Sequence, residues 1–376
     1  MITKPGGLTL KIIDPNVDYL LTAPLQYISG SNTLDDCGRF IVKWGKNVLV
    51  SGGKKALKSV ESKLFPALEE AGVKYEVNQF SGECSDENIT VLVEKVQRMA
   101  LDAIIGVGGG KSLDTAKRAA EICNVPVICI PTIAATCAAA SVLSVIYTEE
   151  GVYKKDHYLE KNPNLVLVDT DVIANAPVEY FESGILDSLA KWYEGKAAFK
   201  GISNPDIFTM CALKLAELLN EIMEREAVNA VHAVKQRQAT VTVAKIIDVN
   251  IYLAAVIQGI GKKTRGAAAH AIHAGLSVIS QSHAVLHGYK VGYGIVAQQF
   301  LEKADLVEIG RVVRFFRQLD LEPSFKGLGL PFEVDLLRQV AEKAILSDPM
   351  QNMPFEVQPE QVIAAMEQVE EVVYHI

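Results

Sequence analysis

Residues 104–117 read IIGVGGGKSLDTAK, an apolar run followed by four glycines in five positions (106, 108, 109 and 110) and then a segment of helical character. Ile104, Ile105 and Val107 are β-branched, as a strand buried on both faces requires. Glycine lets the backbone approach a ligand closely, and a helix N-terminus offers free N–H groups and the positive end of a dipole. A strand, a glycine turn and a helix start therefore make a phosphate cradle, with the four glycines, Gly109 and Gly110 among them, and Lys111 at its centre. Neither standard fingerprint is present. A GxGxxG motif starting at Gly106 needs glycine at 111, which is Lys111, and a GxxxxGK[ST] loop ending in Gly110, Lys111 and Ser112 needs glycine at 105, which is Ile105. The plainer alternative is a glycine turn that only caps a helix.

On either side of this junction, short β-rich runs alternate with helical ones. Val48–Ser51, Ala103–Val107, Val125–Ile130 and Leu165–Asp169 read as strands, with Lys55–Ala71, Glu87–Met99 and Ser112–Cys123 as helices among them. Strands separated by helices imply βαβ units and a mostly parallel sheet. After Pro177 the chain reads helix after helix: Leu186–Phe199, Phe208–Arg225, Ala227–Gln258, Gly266–Ser280, Glu333–Ala344 and Glu360–Tyr374. The expected fold class is an α/β domain with a mostly parallel sheet over residues 1–175 and an all-helical domain over 176–376. No internal repeat or low-complexity tract interrupts either half.

Composition narrows the function classes. The 376 residues carry 45 acidic and 37 basic side chains, a net charge of −8, a poor start for a nucleic-acid binder. Six cysteines without CxxC spacing exclude a disulfide scaffold and suggest packing residues. The opening MITKPGGLTL shows no signal-peptide pattern, so a cytoplasmic location is expected. Residues 122–147 hold no charge over a bilayer-spanning length, but Pro126, Pro131 and the hydroxyls of Thr132, Thr136, Ser141 and Ser144 favour a buried strand entering an irregular loop. No membrane partner is expected.

Of seven histidines, four lie close together: His270, His273, His283 and His287. The spacings i,i+3 and i,i+4 let each pair share a helix face, and imidazole is the commonest transition-metal ligand. HAVLH at 283–287 has Ala284 where a zinc protease needs glutamate, which removes that reading. A carboxylate would complete a metal site. Asp187 in GILDSLAKWYE is the favoured residue, with Glu182 and Glu194 as competitors.

GGGKSLDTAK, PTIAATCAAASVLSVIYT (131–148), GILDSLAKWYE (184–194) and HAIHAGLS with HAVLHGYKVGYG (270–294) occur in this order. Together they resemble the iron-type, or family III, alcohol dehydrogenases in the glycerol dehydrogenase branch. The resemblance runs from about Tyr27 to the C-terminal helices. It implies hydride transfer between NAD(P)(H) and a small carbonyl or alcohol substrate, a metal in the cleft between the two halves, and a homo-oligomer. It puts the metal on Asp187, His270 and His287, and a further catalytic histidine at His273. The implied nucleotide positions are Gly109, Gly110, Lys111, Asp114, Thr132, Ala135, Ser141, Leu143 and Tyr147. Two imidazoles and one carboxylate leave a coordination position open, as a catalytic zinc site requires. The iron-binding branch adds a histidine one turn after the aspartate; here Lys191 stands there, which favours zinc over iron.

Three departures bear on substrate and cofactor. Cys137 replaces the aspartate that holds the polyol in glycerol dehydrogenases. Lys191 adds a cation beside the open position, suited to a substrate carboxylate; it could instead pair with Asp187, or stand in for the metal's charge. Cys137 and Lys191 together resemble the hydroxycarboxylate dehydrogenase (2-oxobutanoate/2-oxoglutarate reductase) group, so a 2-oxo acid/2-hydroxy acid is the expected substrate, with glycerol/dihydroxyacetone as the alternative. Gly53 occupies the place of the acid that binds the ribose in NAD-preferring relatives, with Lys54 and Lys55 beside it, so NADPH is expected to serve at least as well as NADH. A dehydroquinate-synthase-like lyase is a more distant reading; the basic residues it needs would be chiefly Lys262, Lys263, Arg265 and Lys290.

Overall fold

A computed structural model describes residues 22–375; the expectation drawn from the chain's opening segment lies outside them. The elements of the first half are β1 (Gln26–Gly30), α1 (Gly38–Ile41), β2 (Asn47–Gly53), α2 (Lys54–Glu70), β3 (Lys74–Phe80), α3 (Asp86–Met99), β4 (Ala103–Gly108), α4 (Gly110–Cys123), β5 (Val127–Pro131), β6 (Leu143–Tyr147), β7 (Tyr153–Tyr158) and β8 (Leu165–Asp169). Six of the strands form a parallel sheet in the order β1-β8-β5-β4-β2-β3, while β6 and β7 pair as an antiparallel hairpin.

The strands read as unbroken apolar runs because both faces of the sheet are covered. Along each strand alternate residues feed different cores: Ile104, Cys129, Val166 and Val168 belong to one, Ile105, Ile128, Leu165 and Leu167 to the other. The first of these cores continues without a break into the second half of the chain.

That half is helical: α5 (Thr170–Ala174), α6 (Val178–Lys200), α7 (Ile207–Lys235), α8 (Val241–Asp248), a π-helical turn at Val249–Leu253, α9 (Ala254–Ile260), α10 (Ala268–Leu276), a 3-10 turn at Ser280–Ala284, α11 (His287–Leu301), α12 (Leu306–Gln318), α13 (Val334–Ile345), a second 3-10 turn at Asp348–Asn352, and α14 (Pro359–His375). Among the described residues, Val241–Ile260 is the one helical stretch long and apolar enough to cross a membrane, and more than half of it is buried.

The structure corrects the sequence reading in places. The break expected between Arg225 and Ala227 is absent; α7 runs through it and ends where Arg237 takes a left-handed φ of 58°, after which Thr240 caps α8 by accepting from Val243 N–H. His283 and His287 do not share a helix face. His283 is exposed in the first 3-10 turn, and the extended backbone of Val285 and Leu286 separates it from α11. Residues 122–147 form the end of α4, then β5, a loop and β6, as the prolines demand.

Candidate metal and nucleotide site

Helix α6 is buried on nearly all sides, yet it carries Glu182, Asp187, Lys191 and Glu194, each at least nine-tenths buried. Asp187, Lys191 and Glu194 stand at i, i+4 and i+7, on one face. Helix α10 presents His270 and His273 to that face, and α11 opens with His287.

Glycines set the approach of these helices. A Cβ on Gly184 would lie 1.8 Å from the carbonyl oxygen of Ala134, in the loop after β5. On α11, a Cβ at Gly288 would lie 1.8 Å from the carbonyl oxygen of Ser183, and one at Gly294 would lie 2.4 Å from that of Ala269. Real side chains do not fit at such distances, so each contact needs glycine. The three contacts bring α6 against the loop, α11 against α6, and α11 against α10.

The outcome is a compact triad. His270 Nε2 and His287 Nε2 each lie 3.3 Å from Asp187 Oδ1, and one donor atom from each residue falls within 4.8 Å of the others. Asp187 Oδ1 is buried and makes no hydrogen bond among the described residues. A buried oxygen left without a partner between two imidazoles calls for a further group, and two nitrogens with a carboxylate suit zinc or iron.

Glu194, a competitor for ligand in the sequence, has another task. Its Oε2 lies 2.6 Å from His270 Nδ1, while Oε1 accepts from the N–H groups of Ala267 (2.7 Å) and His270 (2.8 Å). With Nδ1–H donating to Glu194, Nε2 of His270 faces Asp187, where a bound metal would take the place of its proton. Glu182 faces elsewhere, accepting from the Tyr289 hydroxyl at 2.8 Å. His273 Nε2 lies 3.1 Å from His287 Nδ1 and so orients the second imidazole.

The charges are consistent with this arrangement. Burial pushes the Asp187 carboxyl up, but the Lys191 ammonium and the two imidazoles outweigh it and hold it well below the usual carboxylate range. Burial also lowers His270, and the Glu194 and Asp187 carboxylates overcome that to raise it to about 9. Burial, then the charges of His287 and Lys290, hold His273 well below the ordinary imidazole value, so its ring is neutral. Burial works against the Lys191 charge, but Asp187 keeps its ammonium protonated. Lys191 makes no hydrogen bond or ion pair among the described residues; it does not pair directly with Asp187.

The glycine-rich turn expected to bind nucleotide lies on the other side of the Gly184–Ala134 contact. Gly108 has φ of 137°, a conformation open to glycine, and accepts from Thr132 N–H at 3.1 Å. Gly109 is the extended cap of α4, and a small pocket is lined by Gly109, Gly110, Pro131, Ile133, Ala135 and Thr136.

Not every position implied for the nucleotide opens onto that pocket. Lys111 is drawn aside to Glu83. Asp114 is buried, accepting from Val145 N–H at 3.0 Å and pairing with Lys117 at 2.9 Å. Ser141 is buried beside the same lysine, and Leu143 and Tyr147 are half-buried in β6. Sequence reasoning missed Lys117, whose ammonium donates to the carbonyls of Ala138 (2.8 Å), Ser141 (3.2 Å) and Leu143 and so pins the loop between β5 and β6 to α4. It also missed Glu194 as an orienting residue and Asn250 of the π turn, which accepts from Ser188 (2.9 Å) and donates to the Ala134 carbonyl (3.3 Å). For Glu194 a signal existed: a glutamate two turns beyond Asp187 in an apolar helix.

Cys137 points its thiol at Gln258 Oε1, 3.2 Å away, and burial pushes that thiol up to about 11, so it is no nucleophile. At the end of β2, a Cβ on Gly53 would meet nothing within 4 Å. Lys54 and Lys55 beside it are exposed.

Fold and site together fit an oxidoreductase class in which a parallel-sheet half with a glycine-rich turn faces a helical half whose two imidazoles and one carboxylate could hold a metal ion. The chain belongs to the iron-containing alcohol dehydrogenase family. The family's sequence model matches residues 24–170. A glycerol dehydrogenase from Escherichia coli is 36% identical, with the alignment covering 93% of this chain and 96% of that protein. Hydroxycarboxylate dehydrogenase A, also from Escherichia coli, is 31% identical over 85% of this chain and 88% of its own length. The crystal structure of glycerol dehydrogenase from Schizosaccharomyces pombe superimposes with a TM-score of 0.87 at 30% identity, covering 95% of this chain and 92% of that one.

Proposed function

We propose that the protein transfers hydride between a nicotinamide dinucleotide and a small alcohol or carbonyl compound, with a metal ion, zinc rather than iron, held by Asp187, His270 and His287. The observation that carries this reading is the unpartnered Asp187 Oδ1 between two Nε2 atoms, one helix contact away from the glycine-rich cradle. A divalent ion there supplies Lewis acidity toward a substrate oxygen. The chain's own residues do the rest. Glu194 fixes the His270 tautomer, and His273 holds His287 in place. With its Nε2 committed to His287 and its charged form disfavoured by burial, His273 is assigned the task of positioning that ring.

Likeness to glycerol dehydrogenases supports a vicinal polyol and its hydroxy ketone as the first substrate class. A second reading, a 2-oxo acid and its 2-hydroxy acid, is favoured by Lys191, a buried ammonium without a hydrogen-bonding partner, and by the neutral Cys137. NADPH oxidation with dihydroxyacetone and 2-oxobutanoate side by side tests both. Faster turnover of dihydroxyacetone supports the first and faster turnover of 2-oxobutanoate the second; no turnover of either sinks the proposal.

NADPH is the favoured nucleotide, because no carboxylate at position 53 repels a 2′-phosphate and two lysines flank it. Gly53 has φ of −64° and open space, so Gly53→Asp is tolerated by the backbone. We expect it to raise the Michaelis constant for NADPH about tenfold or more while sparing NADH; equal effects on both would reject the assignment. The family resemblance also suggests a homo-oligomer, for which sedimentation velocity is the direct test; a cytoplasmic location remains an expectation from sequence, checked by fractionation.

A further inference from the structure

The hairpin formed by β6 and β7 reaches from the sheet half to the loop that leads into α10. In that loop Arg265 lays its guanidinium over the Tyr158 ring, with Cζ 4.5 Å from the ring centroid. The loop is anchored at the metal triad, because Glu194 accepts from the N–H of Ala267, two residues on. Arg265 is half-buried, and among the described residues it forms no hydrogen bond and no ion pair. Lys191 approaches from α6, buried and equally unpartnered.

Both cations act on the same tyrosine: burial raises the Tyr158 hydroxyl, and the charges of Arg265 and Lys191 pull it back. Asp156, on the same hairpin, lies in the field of Arg265 but beyond ion-pair distance. Lys191 stands one turn before Glu194 on α6, and Glu194 in turn holds the Arg265 loop at Ala267. Asp187 balances part of the Lys191 charge, but Arg265 has no carboxylate within ion-pair distance among the described residues. An anion entering there would be held by both cations. A planar carboxylate matches the guanidinium fork, and the ammonium adds a point charge.

We propose that Arg265, Lys191 and Tyr158 form a carboxylate subsite beside the metal triad, so that an acid group next to the reacting carbonyl sits between the two cations. Arg265 is then a specificity-determining residue contributed by the helical half, and Tyr158 is the wall contributed by the hairpin. The inference deepens the second substrate reading above and rests on it.

The test compares wild type, Arg265→Gln and Arg265→Lys on 2-oxobutanoate and on 1-hydroxy-2-butanone, which replaces the carboxylate by a neutral alcohol. Inhibition by oxamate, an anion that is not reduced, is measured in parallel. Loss of a charged hydrogen-bond pair should lower kcat/KM of Arg265→Gln for 2-oxobutanoate roughly 30-fold, mostly through KM, and weaken oxamate to a similar degree. The fall with the neutral ketone should be at least tenfold smaller, and Arg265→Lys should recover part of the loss. Equal losses on both ketones would show a structural role and overturn the proposal. A wild type that prefers 2-oxobutanoate, with Arg265→Gln unchanged, would overturn the role of Arg265 alone. A wild type that prefers the neutral ketone and ignores oxamate would overturn the 2-oxo acid reading itself.

Discussion

At the scale of single residues, the second layer around the triad is as informative as the triad. Glu194 accepts two backbone N–H groups and one imidazole N–H, and burial cannot keep it protonated against those donors. A glutamine would turn an amide N–H₂ toward at least one of these donors. Glu194→Gln should weaken metal binding by roughly 10- to 100-fold, measured by competition with a chelating dye. An unchanged metal affinity would mean that Glu194 only braces the loop before α10. The candidate histidine ligands were legible because histidine is scarce in this chain and clusters at 270–287. Spacing alone left Glu182 and Glu194 competing with Asp187, which only the family resemblance favoured; the structure brings Asp187, not Glu182, to the two imidazoles. Lys117 was not legible at all: a lysine in a helix normally reads as solvated, and nothing local says that this one is capped by loop carbonyls.

Among elements, the β4–α4 junction and the strands β2, β4, β5 and β8 were readable because apolar runs bounded by glycine and proline have few other meanings, whereas the outer strands β1 and β3 of the parallel sheet were missed. The hairpin was hidden because β7, YKKDHY, is polar and exposed. Helix α11 was hidden by its glycines, which are poor helix formers chosen here for contact rather than propensity. Helix α12 was also passed over, although it carries a helical stripe of Ile309, Val312, Val313 and Phe316.

Gly288→Ala puts a methyl group into the backbone of Ser183, so α11 must retreat from α6. We expect a loss of stability of about 2 kcal/mol or more, with impaired metal retention, seen by urea unfolding and metal analysis. A variant of native stability and metal content would show that the two helices are not locked. At the start of α7, Asp206 accepts from Thr209 N–H at 2.7 Å. That backbone bond, with the Thr209 side chain and Lys263, lowers its carboxyl to about 2. A depressed carboxyl stabilises the fold above its unfolded value near 4, and the contribution is lost as pH falls toward 2. Asp206→Ala should therefore cost about 1 kcal/mol at pH 7, and the gap from wild type should narrow between pH 4 and 3. A gap independent of pH would contradict the cap.

For the molecule as a whole, the expected division into residues 1–175 and 176–376 marks a change of architecture, but one hydrophobic core crosses it. Val166, Val168 and Ile173 join Phe181 and Ile185 of α6 in a single cluster, and Asn250 ties α6 to the Ala134 carbonyl across the same seam. Such continuity predicts one cooperative heat-absorption peak for both halves when the protein is scanned with its metal bound; two well-separated peaks would show that the seam is weak. This coupling was beyond the sequence, because composition shows where helices replace strands but not whether their cores merge.

The pinning of the β5–β6 loop by Lys117 has a consequence in time. The loop has no regular secondary structure, yet its carbonyls are already committed to a buried ammonium that is paired with Asp114. Under the proposed function little ordering remains to be done when a dinucleotide arrives, so we expect capture to be a single encounter whose observed rate climbs in proportion to nucleotide concentration in stopped flow; a plateau would show a slow loop rearrangement instead.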